Sequence, residues 1–171
     1  MAQGIRHQGG YQLYTDEQRR RRDASRWTMV QGVLAPVQFV ICIVSAILVV
    51  RFLMTGEGYM AATVSVIIKT FALYTIMVTG AIWEKEVFGQ YLLAPAFFWE
   101  DMVSFVVIAL HTIYLVALFA GSMTPEQLMI TALVAYALYT VNAAQFIWKL
   151  RQARMSAPQS QSQSQSQEVP A

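Results

Sequence analysis

Four long apolar runs, separated by short polar breaks, organise this chain. The first extends from Met29 to Met54, and its only polar residues are Gln31, Gln38, Ser45 and Arg51. About 20 apolar residues suffice to cross the hydrocarbon core of a bilayer, so the run predicts a spanning helix with Pro36 near its start. Thr55-Gly56-Glu57-Gly58 reads as a tight turn. Tyr59 to Trp83 predicts a second span carrying Lys69 near its middle, and Phe97 to Ala120 a third. A turn at Gly121 to Glu126 follows, with Thr124 as N-cap and Pro125 at the first helical position. Gln127 to Lys149 predicts the fourth span. The expected fold class is all-α, a four-helix transmembrane domain over residues 27–154.

The flanks are of a different character. Residues 1–26 are polar and basic, with a flexible Gly9-Gly10 and a Thr15-Asp16-Glu17-Gln18 signal that opens a short helix at the membrane surface. Their polarity argues against a cleavable signal peptide, which needs its apolar region nearer the start. Residues 155–171 are dominated by an alternating Gln-Ser tract between Ser156-Ala157-Pro158 and a final Glu-Val-Pro-Ala; they cannot bury apolar surface, which predicts disorder. Basic residues fix the expected orientation. Arg6, Arg19, Arg20, Arg21, Arg22, Arg26, Lys85, Lys149, Arg151 and Arg154 collect on the side of both termini, leaving Arg51 on the other. That side is predicted to be cytoplasmic.

Composition agrees with this pattern. Charged residues make up 13% of the chain, where soluble domains carry about a quarter. A net charge of +2 excludes nucleic acid as an expected partner and leaves the lipid bilayer. The single cysteine, Cys42, excludes an internal disulfide and reads as a small buried apolar residue.

The two halves resemble each other. Leu34-Ala35-Pro36, Phe39 and Val44-Ser45 recur 59 positions later as Leu93-Ala94-Pro95, Phe98 and Val103-Ser104. Ala72-Leu73-Tyr74-Thr75 and Ile82-Trp83 recur 65 positions later as Ala137-Leu138-Tyr139-Thr140 and Ile147-Trp148. Two helices per repeat imply two parallel two-helix units related by an axis along the membrane normal. Glu100, Asp101, His111 and Lys69 break the repeat, standing opposite Ile41, Cys42, Phe52 and Val134. A scaffold needs none of these ionisable groups, and charge inside a membrane protein is costly enough to mark function.

Chemistry concentrates in Trp83 to Asp101, where Glu84, Glu86, Glu100 and Asp101 lie among aromatic residues. Glu100, Ser104 and His111 share one helix face, with His111 about 15 Å beyond Asp101. This spacing fits a polar stripe leading into a substrate pocket. It equally fits an acidic pair at a helix N-terminus with a histidine bonded to a neighbouring helix. Lys69 pairs with a carboxylate or reaches the outer interface near Glu57. Asn142 and Gln145 hydrogen-bond other helices or position a water. Neither a two-histidine metal pattern, a Ser-His-Asp signature nor a phosphate loop is present.

The stretches Gly56-Glu57-Gly58-Tyr59, Lys69-Thr70, Leu73 to Lys85, Phe88-Gly89-Gln90-Tyr91 and Ala94 to Asp101 closely resemble the 3-vinyl bacteriochlorophyllide hydratases of phototrophic bacteria (2-vinyl in older ring numbering). Leu110-His111-Thr112 and Asn142-Ala143 share the resemblance, which covers about Tyr14 to Arg154. It implies addition of water to the vinyl group of a chlorophyllide or bacteriochlorophyllide, giving a 1-hydroxyethyl pigment in bacteriochlorophyll biosynthesis. It also implies no cofactor of the protein's own, since the substrate carries its magnesium, and a bacterial inner (intracytoplasmic) membrane location. Other bacteriochlorophyll-synthesis enzymes are expected partners.

Protonating the terminal vinyl carbon needs a neutral acid, and the residues rank Glu100 first as donor, Asp101 as its partner and Glu84 in reserve. Ser104, Asn142 and Lys69 are expected to contact substrate, and His111 to ligate its magnesium. The competing expectations are a non-catalytic pigment-binding or assembly factor, which has no need of the carboxylates, and a small ion transporter.

Overall fold

A computed structural model describes residues 13–155, with side chains to Arg151. Five helices follow one another: α1 (Asp16–Ala24), α2 (Arg26–Thr55), α3 (Tyr59–Phe88), α4 (Phe98–Ala120) and α5 (Pro125–Met155). There is no strand among the described residues. His7, Gly9-Gly10 and the Gln/Ser tail expected to be disordered lie outside them.

Local signals explain the boundaries. Thr15 opens α1 with a capping box: its hydroxyl accepts from the Gln18 N–H at 3.2 Å, and Gln18 Oε1 accepts from the Thr15 N–H at 2.9 Å. Ser25 ends α1 and starts α2, accepting from the Trp27 N–H. Thr124 and Gln127 repeat the reciprocal arrangement at the head of α5, with Pro125 its first residue. The predicted turn after the first span is closed by Gly56 at φ +72°, the left-handed conformation that glycine adopts without steric cost.

Three boundaries differ from expectation, one of them the end of α5, which runs past Lys149 to Met155. α2 begins at Arg26, so Pro36 sits inside the helix rather than near its start. The ring takes the place of one hydrogen bond to Gly32, where the absence of a side chain leaves the turn room. α3 continues past Trp83 to Phe88, because Glu84, Lys85 and Glu86 are good helix formers and the first stop is Gly89 at φ +87°. Glu84 and Glu86 are therefore helical, and the true connector is residues 89–97.

α2 packs along α3 and α4 along α5, each pair an antiparallel hairpin, and α2 against α5 joins the hairpins. Ser45 of α2 ties three helices together, its hydroxyl 2.7 Å from Ser65 of α3 and 2.6 Å from Tyr136 of α5. The apolar core, including Val49, Val66, Val107, Tyr114 and Met129, lies between the hairpins. Outward faces carry Met29, Ile47, Met54, Val116 and Phe119 fully or largely exposed, a surface suited to lipid. Each of the four long helices is long and apolar enough to cross a bilayer; the protein is a multi-pass membrane protein. At 1.5 Å per residue α3 is about 45 Å long, against a hydrocarbon core of about 30 Å, so its carboxylate-bearing end reaches the interface.

Candidate functional site: a carboxylate pair at the α3–α4 connector

The connector turns back on itself at Leu93, whose φ of +59° is the only positive value outside glycine among the described residues. This conformation costs a side-chain-bearing residue about 1–3 kcal/mol and persists where surrounding bonds enforce it. Here two successive backbone donors enforce it. The Leu93 N–H donates to Asp101 Oδ2 at 2.7 Å, and the Ala94 N–H to Glu84 Oε2 at 3.2 Å. Adjacent main-chain donors of this kind form an anion-holding concavity. The Glu84 and Asp101 carboxyl groups are thus held on successive N–H groups of one turn, and both residues are buried. We expect Leu93→Gly to fold with unchanged or slightly raised stability and Leu93→Val to lose about 1–3 kcal/mol, measured by reversible unfolding in mixed detergent micelles.

Glu100 and Asp101 are neighbours about 100° apart on α4, so they diverge. Asp101 turns to the connector and α3. Glu100 turns to α5, where Lys149 Nζ donates to its Oε2 at 2.6 Å in a largely buried ion pair. Neither caps its own helix, since no side chain bonds the first N–H groups of α4. Of the two arrangements open from the spacing, contact with neighbouring elements is the one present. The ion pair gives Glu100 a basic partner on α5, while Asp101 and Glu84 are held at the connector.

The expected stripe along α4 faces α5. The Ser104 hydroxyl donates to the Glu100 carbonyl at 2.9 Å and accepts from Asn142 Nδ2 at 2.7 Å. His111, buried, has Nδ1 2.8 Å from the Val107 carbonyl and its ring 5.8 Å from that of Tyr136. That bond fixes the proton on Nδ1 and leaves Nε2, which has no partner, with an uncommitted lone pair. Lys69 does not reach the interface. It is 0% exposed, donates to Gln38 Oε1, and lies 3.6 Å from the centre of the Tyr139 ring. A hydrogen bond and a cation–π contact thus stabilise it among α2, α3 and α5.

Beside the carboxylates lies an aromatic cluster built on Phe97, whose ring centre is 5.6–5.8 Å from those of Trp83, Phe88 and Phe146. Tyr14 covers it, stacked on Phe88 at 5.8 Å, with the Arg22 guanidinium 4.8 Å from its own ring centre. Glu86 stays outside the pair and accepts from the Ser25 hydroxyl at 2.6 Å.

The family model described as 2-vinyl bacteriochlorophyllide hydratase (BCHF) matches residues 14–152. The chain belongs to that family. It is 68% identical over 145 residues to a 2-vinyl bacteriochlorophyllide hydratase of Rhodobacter capsulatus, covering 85% of this chain and 84% of that one. It is also 68% identical over 143 residues to a 2-vinyl bacteriochlorophyllide hydratase of Cereibacter sphaeroides, covering 84% of this chain and 89% of that one. No solved structure matches. In this hydratase-family chain the reading from residues missed Lys149 and the backbone donors of Leu93 and Ala94. Counting from the hairpin turn sets Ser104 near Asn142 but leads from Glu100 to Gln145, so Lys149 had no such signal. The Leu93 conformation had none.

Proposed function

We propose that this protein hydrates the vinyl group of a bacteriochlorophyllide, with Glu84 and Asp101 together as the proton donor. Family membership supports the reaction, and the convergence of two buried carboxyl groups on the adjacent N–H groups of Leu93 and Ala94 carries the site assignment. Two buried carboxyl groups gathered at one turn repel each other when both are ionised, which favours keeping a single proton between them. The shared proton is the one delivered to the terminal vinyl carbon. The cation so formed is delocalised over the macrocycle, and water adds to the inner carbon. Glu100, paired with Lys149, keeps its negative charge near that cation and supports it electrostatically.

Geometry supports the remaining assignments. His111 offers the bare Nε2 that an axial ligand of the substrate's magnesium requires. Ser104 and Asn142 form the polar wall between Glu100 and His111. Lys69, enclosed by Gln38 and Tyr139, braces that wall and approaches substrate only if the helices part. The protein needs no cofactor of its own, since protonation and water addition transfer no electrons. The basic surface of α1 and the C-terminal end of α5 favours a cytoplasmic location for both ends, in the bacterial inner membrane. An apolar pigment in that membrane also passes between enzymes there, so other bacteriochlorophyll-synthesis enzymes are its natural partners.

The purified protein in lipid nanodiscs, given 3-vinyl pigment in ¹⁸O-labelled water, should yield a 1-hydroxyethyl pigment carrying one ¹⁸O atom. Binding of pigment without this product would instead favour a carrier.

A further inference from the structure

On the α5 side of the carboxylate layer, two buried oxygen acceptors receive no hydrogen bond from the protein: Asn142 Oδ1 and Gln145 Oε1. They are three residues apart on one helix, so their side chains stand on the same face about one turn apart. The orientation of the Asn142 amide is fixed by its neighbour. The Ser104 hydroxyl spends its only proton on the Glu100 carbonyl, so its oxygen can only accept. Asn142 must therefore present Nδ2 to Ser104 at 2.7 Å, which turns Oδ1 away from it. Asn142 is 8% exposed, so that oxygen is held out of solvent. A buried acceptor left without a donor is destabilising, and two together call for a ligand bearing two donors.

We infer that Asn142 and Gln145 hold the attacking water. This rests on the carboxylate pair being the proton donor. A water donating one hydrogen to each amide oxygen keeps its lone pairs free for the cation. Gln145 lies one turn from Lys149, which pairs with Glu100, and Glu100 adjoins Asp101 in sequence, so the water stands across the ion pair from the acid. In the forward step the carboxyl proton forms a C–H bond at the terminal carbon as the C=C π bond breaks. The water oxygen then forms the C–O bond at the inner carbon. The extra proton on that oxygen returns to the carboxylate pair, so the cycle consumes only water. Neither amide takes a proton; their contribution is aim, and misplacing a reactant by about 1 Å costs about 10²-fold.

The test separates proton delivery from water capture. Full-length protein in nanodiscs is given 3-vinyl pigment in D₂O, and both hydroxyethyl product and deuterium in recovered vinyl pigment are followed. Gln145→Met and Asn142→Leu should lower hydration about 10²-fold yet still place deuterium on the terminal vinyl carbon, because the uncaptured cation returns a proton. Gln145→Glu, which keeps an acceptor, should recover much of the hydration. A variant that merely misfolds would lose exchange together with hydration and give no such rescue. Near-normal hydration by both Gln145→Met and Asn142→Leu would overturn the water site while leaving the acid in place. Loss of exchange in both, in folded protein that binds pigment, would also overturn it. Full hydration by Glu84→Gln would instead overturn the donor assignment on which it rests.

Discussion

Glu84→Gln is expected to lower hydration by about 10²–10⁴, the range that general acid catalysis contributes, while pigment binding persists. The substitution suits this site. Gln keeps the shape of Glu and an oxygen for the Ala94 N–H, which now donates at 3.2 Å. Its amide can also donate to Asp101, so the pair stays joined while the transferable proton is gone. Asp101→Asn should behave alike, retaining an acceptor for the Leu93 N–H. With the two carboxyls proposed as one donor, the double variant should be little worse than either single one. Glu100→Gln should lose much less, since Glu100 faces Lys149 on α5 and not the connector. Turnover of purified variants in lipid, with binding followed in parallel by absorbance, decides this. Near-normal hydration by Glu84→Gln with a collapse in Glu100→Gln would return the donor role to Glu100.

The contrast between these carboxylates shows what a sequence can carry. Helix number, hairpin turns and both caps were legible because each has a local cause: an apolar run of spanning length, a glycine at positive φ, or a Thr followed three residues later by Gln. The stretch holding the chemistry was legible too, since four acidic residues between apolar spans need a reason to be there. The order of the roles was not. Glu100 and Asp101 are adjacent in sequence, and helical geometry alone sends one to α5 and the other to the connector. Which of them meets a lysine depends on tertiary packing. Nothing local finds Lys149, and nothing local finds Glu84 and Asp101 together, because their meeting depends on a leucine in a conformation leucine seldom adopts.

The internal repeat misleads at the same place. Leu34-Ala35-Pro36 lies inside α2, whereas Leu93-Ala94-Pro95 is in the connector. One tripeptide thus takes two backbone courses. Proline tolerates both, lacking a donor in the helix and stopping one in the connector. The second half gains from this departure the backbone donors that hold Glu84 and Asp101.

Lys149→Met should be the most destabilising single change at this layer. The Glu100 and Lys149 side chains are only 9% and 16% exposed, and their 2.6 Å contact offsets the cost of taking both charges out of water. Removing the lysine leaves Glu100 buried without its partner, and breaking such a pair costs about 3–5 kcal/mol. Phe97 also loses the ammonium 5.2 Å from its ring centre, a smaller effect. Glu100→Gln/Lys149→Met removes both charges, and pairs replaced by uncharged groups of similar volume are often neutral in stability. The double variant should therefore recover most of the loss, a coupling that two independent contacts would not give. Helicity followed through reversible unfolding in mixed micelles measures all four proteins of the cycle. Equal losses that simply add would mean Glu100 is solvated well enough to stand alone, and its anionic role beside the substrate cation would fall with that result.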